Sequence, residues 1–209
     1  MPGAERWIIS NGEIQITASD NPEGELAGYT YEVYNMSNIL QKKSNTIIPI
    51  ERKIPIETDG EWKVIIKAVD NAGNESGEKL VEVYKDTVPP RVDTPEISNI
   101  TGRGFRITVS AGDTTSQVAK YEYYINGNKH GENNTGIYEV SGLKPNTSYT
   151  VSVKVYDNAG ISTLTNNKPT VTGLGLQPPT ISPSGTNQSG YYKGTITVNL
   201  AEREAGTGA

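Results

Sequence analysis

The sequence predicts an all-β chain built as tandem antiparallel β-sandwiches, and three observations carry that prediction. Apolar side chains recur with a period of two: Tyr149, Val151, Val153 and Val155 point one way, and Thr150, Ser152, Lys154 and Tyr156 the other. Alternation of this kind, rich in β-branched and aromatic residues, marks a half-buried strand. The stretch also occurs twice. Trp62 stands where Tyr149 stands, and Asp70-Asn71-Ala72-Gly73 matches Asp157-Asn158-Ala159-Gly160 at an offset of 157 − 70 = 87 residues. Finally, a proline pair at Pro89-Pro90 returns at Pro178-Pro179, an offset of 178 − 89 = 89 residues. Paired prolines remove backbone donors and stiffen the chain, so both sites read as short hinges between modules.

Composition agrees. The chain has 209 residues, 34% of them hydrophobic, as expected of small sandwiches with thin cores and wet outer faces. Twelve Tyr against one Phe say the same, because a strand residue on a wet face keeps its hydroxyl in water. With no cysteine, the modules must hold by β-packing alone. The net charge of −5, with Lys and Arg scattered, argues against a nucleic-acid partner. No apolar run approaches the roughly 20 residues of a membrane helix. Met1-Pro2-Gly3-Ala4 opens no signal peptide and no wall-anchoring tail closes the chain, so the expectation is a piece of a longer exported protein.

The first module, residues 1–88, opens at Trp7-Ile8-Ile9 and turns at Asn11-Gly12. Ile14, Ile16 and Ala18 alternate with polar residues, and so do Tyr29, Tyr31 and Val33. Residues 35–52 read as polar and irregular, and Pro49 and Pro55 confine that region to edges or loops. Asp59-Gly60 turns into the Trp62 strand, and Leu80 to Tyr84 closes the module. By comparison with the second module, the first is expected to lack its opening strand.

The second module, residues 89–176, is the complete one. Strands are expected over 95–100, at Phe105, Ile107 and Val109, over 121–125, over 137–140, through Tyr149, and once more within 161–172. Asn126-Gly127 is the strongest hairpin signal in the chain. Residues 177–209 read as the truncated start of a third module, with Ile196, Val198 and Leu200 alternating. A two-strand remnant is marginal alone. A cut fragment is the simpler account; head-to-tail strand exchange between copies, residues 177–190 of one completing the first module of the next, is the sharper one. Otherwise the chain is expected to be a monomer.

The run from Gly142 through Leu143, Pro145, Thr147 and Tyr149 to Val153, then Tyr156 and Asp157-Asn158-Ala159-Gly160, resembles the fibronectin type III module. In that family the Leu-x-Pro-x-Thr-x-Tyr segment forms a tyrosine corner, its hydroxyl bonded to backbone a few residues upstream. In the first module Trp62 replaces the Tyr and Asp59-Gly60 the Leu-x-Pro approach. It looks more like the bacterial immunoglobulin-like repeats, whose strand-end Asp-x-Ala-Gly-Asn pattern Asp70 to Asn74 fits. The resemblance implies seven-stranded sandwiches with two aligned sheets. The core is expected to hold Ile14, Ile16, Tyr31, Trp62, Val64 and Ile66 in the first module. In the second it should hold Ile107, Val109, Tyr123, Leu143, Tyr149, Val151, Val153 and Val155.

Catalytic chemistry finds no support. His130, the one histidine, sits beside Gly131 at a hairpin end with no Ser and Asp set around it. One histidine and no cysteine disfavour zinc. Glu202 and Glu204 lie two apart on one strand end, not across a cleft. Calcium is the one cofactor to carry. Asp20, Asp70, Asp86, Asp113 and Asp157 all fall at strand ends or the hinge, and loop carboxylates suit a hard cation. Asp70, Asn71 and Asp86 would hold it near the module junction; ordinary turn chemistry is the favoured reading of the same aspartates. Tyr34 and Tyr124 share an outer face on equivalent strands, where aromatics could stack on a glycan or a protein partner. The role expected is a non-enzymatic spacer or adhesion segment of a bacterial cell-surface or secreted protein. The alternatives are accessory modules of a secreted polysaccharide-degrading enzyme, or phage tail or capsid decoration.

Overall fold

The computed structural model describes residues 7–10, 12–18 and 25–175, and the strand backbone at 180–181 and 198–199. Every regular element among them is a strand. The chain forms two compact units. One holds Met1–Arg91 with Ala111–Ala119 and Val155–Thr163; the other holds Val92–Ser110, Lys120–Lys154 and Leu164–Ala209.

In the first unit the strands are β1 (Trp7–Ile8), β2 (Glu13–Ile14), β3 (Leu26–Asn35), β4 (Leu40–Lys43), β5 (Ile54–Pro55), β6 (Gly60–Asp70) and β7 (Lys79–Lys85). Five of them form one sheet in the order β1-β7-β6-β3-β4, and β2 pairs with β5 in a second layer. Alternation dictates what each strand buries. Tyr29, Tyr31 and Val33 of β3 and Val64 and Ile66 of β6 form one core with Ile54 and Ile56. Thr30, Glu32 and Tyr34 take the other face. Ile14, Ile16 and Trp62 pack against this core from half-buried positions, so the expected set is joined by Tyr29, Ile54 and Ile56.

Two departures have local causes. Residues 40–43 form β4 although Leu40-Gln41-Lys42-Lys43 lacks an apolar stripe, because β4 is an edge strand whose lysines keep the rim in water. And β1 joins the sheet in parallel, Trp7 opposite Tyr84 and Ile8 opposite Lys85, where an all-antiparallel sandwich was expected. Trp7 is buried there, its ring 5.6 Å from that of Tyr84 and its indole N–H without an acceptor.

Continuing along the chain are β8 (Arg91–Val92), β9 (Glu96–Thr101), β10 (Gly104–Thr108), β11 (Ala111–Gly112), β12 (Val118–Ile125), β13 (Asn128–Asn133), β14 (Ile137–Val140), β15 (Ser148–Asp157), β16 (Ser162–Leu164) and β17 (Lys168–Val171). One sheet runs β14-β10-β9. Another runs β13-β12-β15-β16, with β17 also paired to β15. The closing strand expected within 161–172 is thus two short ones. Phe105, Ile107, Val109, Tyr121, Tyr123, Val151, Val153 and Val155 are buried, while Leu143 and Tyr149 are half-buried. Asn126 and Gly127 both have positive φ, 51° and 77°, the mirror-image turn that matches strand twist. The tyrosine corner is present with the hydroxyl as acceptor: Lys144 N–H donates to Tyr149 Oη at 3.0 Å. Further on, β18 (Thr180–Ile181) pairs antiparallel with β19 (Val198–Asn199). The rest of 177–209, including Glu202, Glu204 and the Pro178-Pro179 hinge, lies outside the described residues, as does Asp20.

Two substitutions test this packing. Trp7→Ala should cost about 3 kcal/mol in denaturant unfolding, whereas Trp7→Phe, which keeps an aromatic ring and removes the orphaned N–H, should stay within about 1 kcal/mol of the parent. Tyr149→Phe should cost about 0.5–1 kcal/mol, since the Lys144 N–H it releases can turn to water.

Candidate metal centre

The Asp-Asn-Ala-Gly turn is built the same way twice. Asp70 N–H donates to Asn74 O at 3.1 Å, Gly73 N–H returns to Asp70 O at 3.1 Å, and Asp70 Oδ1 accepts Asn74 N–H at 2.8 Å. Asp157 N–H likewise donates to Ile161 O at 3.1 Å, Gly160 N–H to Asp157 O at 3.2 Å, and Ile161 N–H to Asp157 Oδ1 at 2.8 Å. Gly73 and Gly160 carry the positive φ, 86° and 87°, that closes each turn.

The copies differ at the second carboxylate oxygen. In the first, Asn74 Nδ2 donates to Asp70 Oδ2 at 2.8 Å. Asn74 and backbone amides hold the Asp70 carboxyl below its ordinary range. At the matching position of the second stands Ile161, which has no such donor. Asp157 Oδ2 is buried with no hydrogen-bond partner. Burial first, then the negative charges of Asp86 and Asp113, push the Asp157 carboxyl up.

Asp86 and Asp113 bring that charge. Asp86 comes directly after β7, its N–H donating to Ile8 O at 3.0 Å and its Oδ1 accepting Val88 N–H at 3.0 Å. Its Oδ2 is buried without a partner. Asp113 Oδ1 accepts three backbone amides, Thr115 at 3.0 Å, Ser116 at 2.7 Å and Gln117 at 2.9 Å. Asn158 ties the loops together, donating from Nδ2 to Ser116 O at 2.7 Å. One carboxylate oxygen from each aspartate lies within 4.8 Å of the others, and all three residues belong to the first compact unit.

The sequence grouped Asp70 and Asn71 with Asp86, and the structure does not bring these residues together. Gly60 pairs with Lys85, so Asp70 lies ten residues away at the far end of β6, about 30 Å at strand rise. An antiparallel hairpin therefore separates Asp70 and Asn71 from Asp86. Asn71 instead donates from Nδ2 to Glu25 at 3.3 Å. The signal that finds the observed set is which end of its strand each aspartate occupies, together with the change from Asn74 to Ile161.

Tyr34 and Tyr124 do stand on outer faces, half-buried, each hydroxyl donating to the glutamate two residues before it, Glu32 and Glu122. His130 is exposed and faces the Tyr138 hydroxyl at 3.1 Å.

Residues 89–172 match the family model of the fibronectin type III domain. This segment is a fibronectin type III domain. Solved structures similar in fold include the fibronectin(III)-like modules of Clostridium thermocellum CbhA, 20% identical with a TM-score of 0.39 over 82% of this chain and 88% of that one. Others are domains of titin (18%, TM-score 0.46, 70% and 55%) and the fibronectin domains of chicken CNTN1 (14%, TM-score 0.36, 69% and 56%). No curated protein sequence matches the chain. The fibronectin type III domain supplies Asp113 and Asp157, and the segment before it supplies Asp86. Domains of this family are generally non-catalytic and common in extracellular and surface proteins.

Within the fibronectin domain, Glu122 is buried beneath Lys129 at 2.8 Å, Lys120 at 2.9 Å and the Tyr124 hydroxyl. Lys129, then Lys120, pull its carboxyl from an ordinary 4.5 to about 2. Because the folded state holds the proton more weakly, this stabilisation is complete above about pH 4.5 and is lost as pH falls toward 2. Thermal melts between those values should show a drop in midpoint that Glu122→Gln flattens. Added salt should shrink the effect, since both lysines are partly exposed.

Proposed function

We propose that the chain serves as a non-enzymatic spacer or adhesion segment of a bacterial cell-surface or secreted protein. The observation that carries this reading is the pairing of β1 with β7. In the five-stranded sheet β1 is the first strand along the chain and β7 the last, and the two are hydrogen-bonded neighbours running parallel. The bond from Asp86 N–H to Ile8 O extends the pair. Tension along the chain pulls such strands past each other, so their bonds are loaded together rather than peeled one at a time. Sandwiches that carry load this way suit a segment holding a distal domain off a surface. The membership of 89–172 in a family of generally non-catalytic domains supports the same role.

Stretching the full chain between its ends should give discrete unfolding events, each releasing about 300 Å for a module-sized length of chain. Ile8→Pro, which puts a proline into β1, should lower the force of one event and leave the other unchanged. Unfolding at negligible force would contradict the spacer role. Saturable binding to a polysaccharide would favour the accessory-module alternative, and assembly onto a particle the decoration one.

A further inference from the structure

We propose that Asp86, Asp113 and Asp157 form a binding site for a calcium-like divalent cation, which ties together three chain segments far apart in sequence. Each aspartate is held through its Oδ1. Backbone amides of Val88, of Thr115, Ser116 and Gln117, and of Ile161 fix the three Oδ1 atoms. That leaves Oδ2 of Asp86 and Asp157 buried and unpartnered, on residues only 0% and 2% exposed. A buried carboxylate oxygen without a donor is costly, and like charges at this spacing add to the cost. Something positive is needed, and among the described residues no lysine or arginine supplies it. Lys85, the nearest in sequence to Asp86, spends its ammonium on Ile56 O at 2.8 Å and Glu57 O at 3.0 Å.

The chemistry selects the ion. All three donors are carboxylates, which suit a hard cation and not zinc or copper. Oxygens within 4.8 Å of one another fit around one calcium, whose ligands sit at about 2.3–2.6 Å. Magnesium, at about 2.0–2.1 Å in a strict octahedron, fits a site built on three separate loops less well. Asp113 is only half-buried, so water can reach the ion and complete its shell. Asn74, which satisfies Asp70 in the first copy of the turn, shows what the second copy lacks. The inference does not depend on the spacer role, because binding is read without applying force.

The test is calorimetric titration of the chelator-treated full chain with calcium chloride, paired with thermal melts in calcium and in EDTA. One calcium per chain is expected, with a dissociation constant of about 0.1–1 mM, as in extracellular modules. Magnesium should bind at least roughly tenfold more weakly. The melting midpoint should rise in calcium. Asp157→Asn keeps the Oδ1 acceptor and removes the charge, so it should melt no lower than the parent in EDTA yet lose the calcium response. Asp86→Asn gives the same readout if Asp157→Asn fails to fold, and Asp70→Asn should respond as the parent does. No heat and no midpoint shift at about 10 mM calcium would overturn the proposal. So would a shift that survives in both Asp157→Asn and Asp86→Asn. A parent that ignores calcium but is stabilised by acid would also overturn it, and would mean that the three carboxylates share a proton.

Discussion

At the end of β6 and again at the end of β15, an aspartate accepts the amide of the residue four positions on: Asn74 N–H to Asp70, and Ile161 N–H to Asp157. That bond fixes where the chain turns, and with it the register of the next strand. Because side chains alternate with a period of two, a slip of one residue would send Val81 and Val83 out of the core. In a chain with no cysteine and thin cores, this local anchoring takes the place of a covalent staple. Strand pairing supplies the rest. Tyr29 and Val64 on one side and Phe105, Ile107 and Tyr123 on the other are buried because the turns hold their strands in phase.

The two copies of the turn have diverged in one consequential way. Asp70 is closed on itself: Asn74 takes both carboxylate oxygens, and the group is solvated and more acidic than an ordinary aspartate. For Asp157 the matching position holds Ile161, and the carboxyl is buried beside Asp86 and Asp113. A turn whose carboxylate is fully bonded in one copy has, in the other, a buried oxygen with no partner among the described residues. The same divergence separates the outer faces. Glu32 bonds Tyr34, whereas Glu122 is buried under Tyr124 and two lysines.

Much of this was legible in the residues. Period-two alternation located the Tyr31, Tyr123 and Val151 strands, Asn126-Gly127 specified its turn, and the run from Leu143 to Tyr149 identified the corner. What escaped were features set by tertiary context. β4 has no apolar stripe because an edge strand needs none. Pro55 confines its region to an edge or a loop, which does not reveal that Ile54 and Ile56 on either side of it are buried beneath the main sheet. The sequence grouped Asp70 with Asp86, and the hairpin between them keeps the two apart. Strand polarity alone puts them at opposite ends, whereas bringing Asp86 to Asp113 and Asp157 depends on how loops distant in sequence meet.

Asp86 and Asp157 each bury an Oδ2 that finds no donor among the described residues, and one carboxylate oxygen of each lies within 4.8 Å of the other and of one from Asp113. A crystal structure of the full chain grown in calcium tests the proposed cation site most directly, through the anomalous map between the three carboxylates. The expected result is a single peak with one oxygen from each aspartate about 2.3–2.6 Å away. Carboxylates turned apart into solvent, or bonded to a lysine, with no peak between them would contradict it.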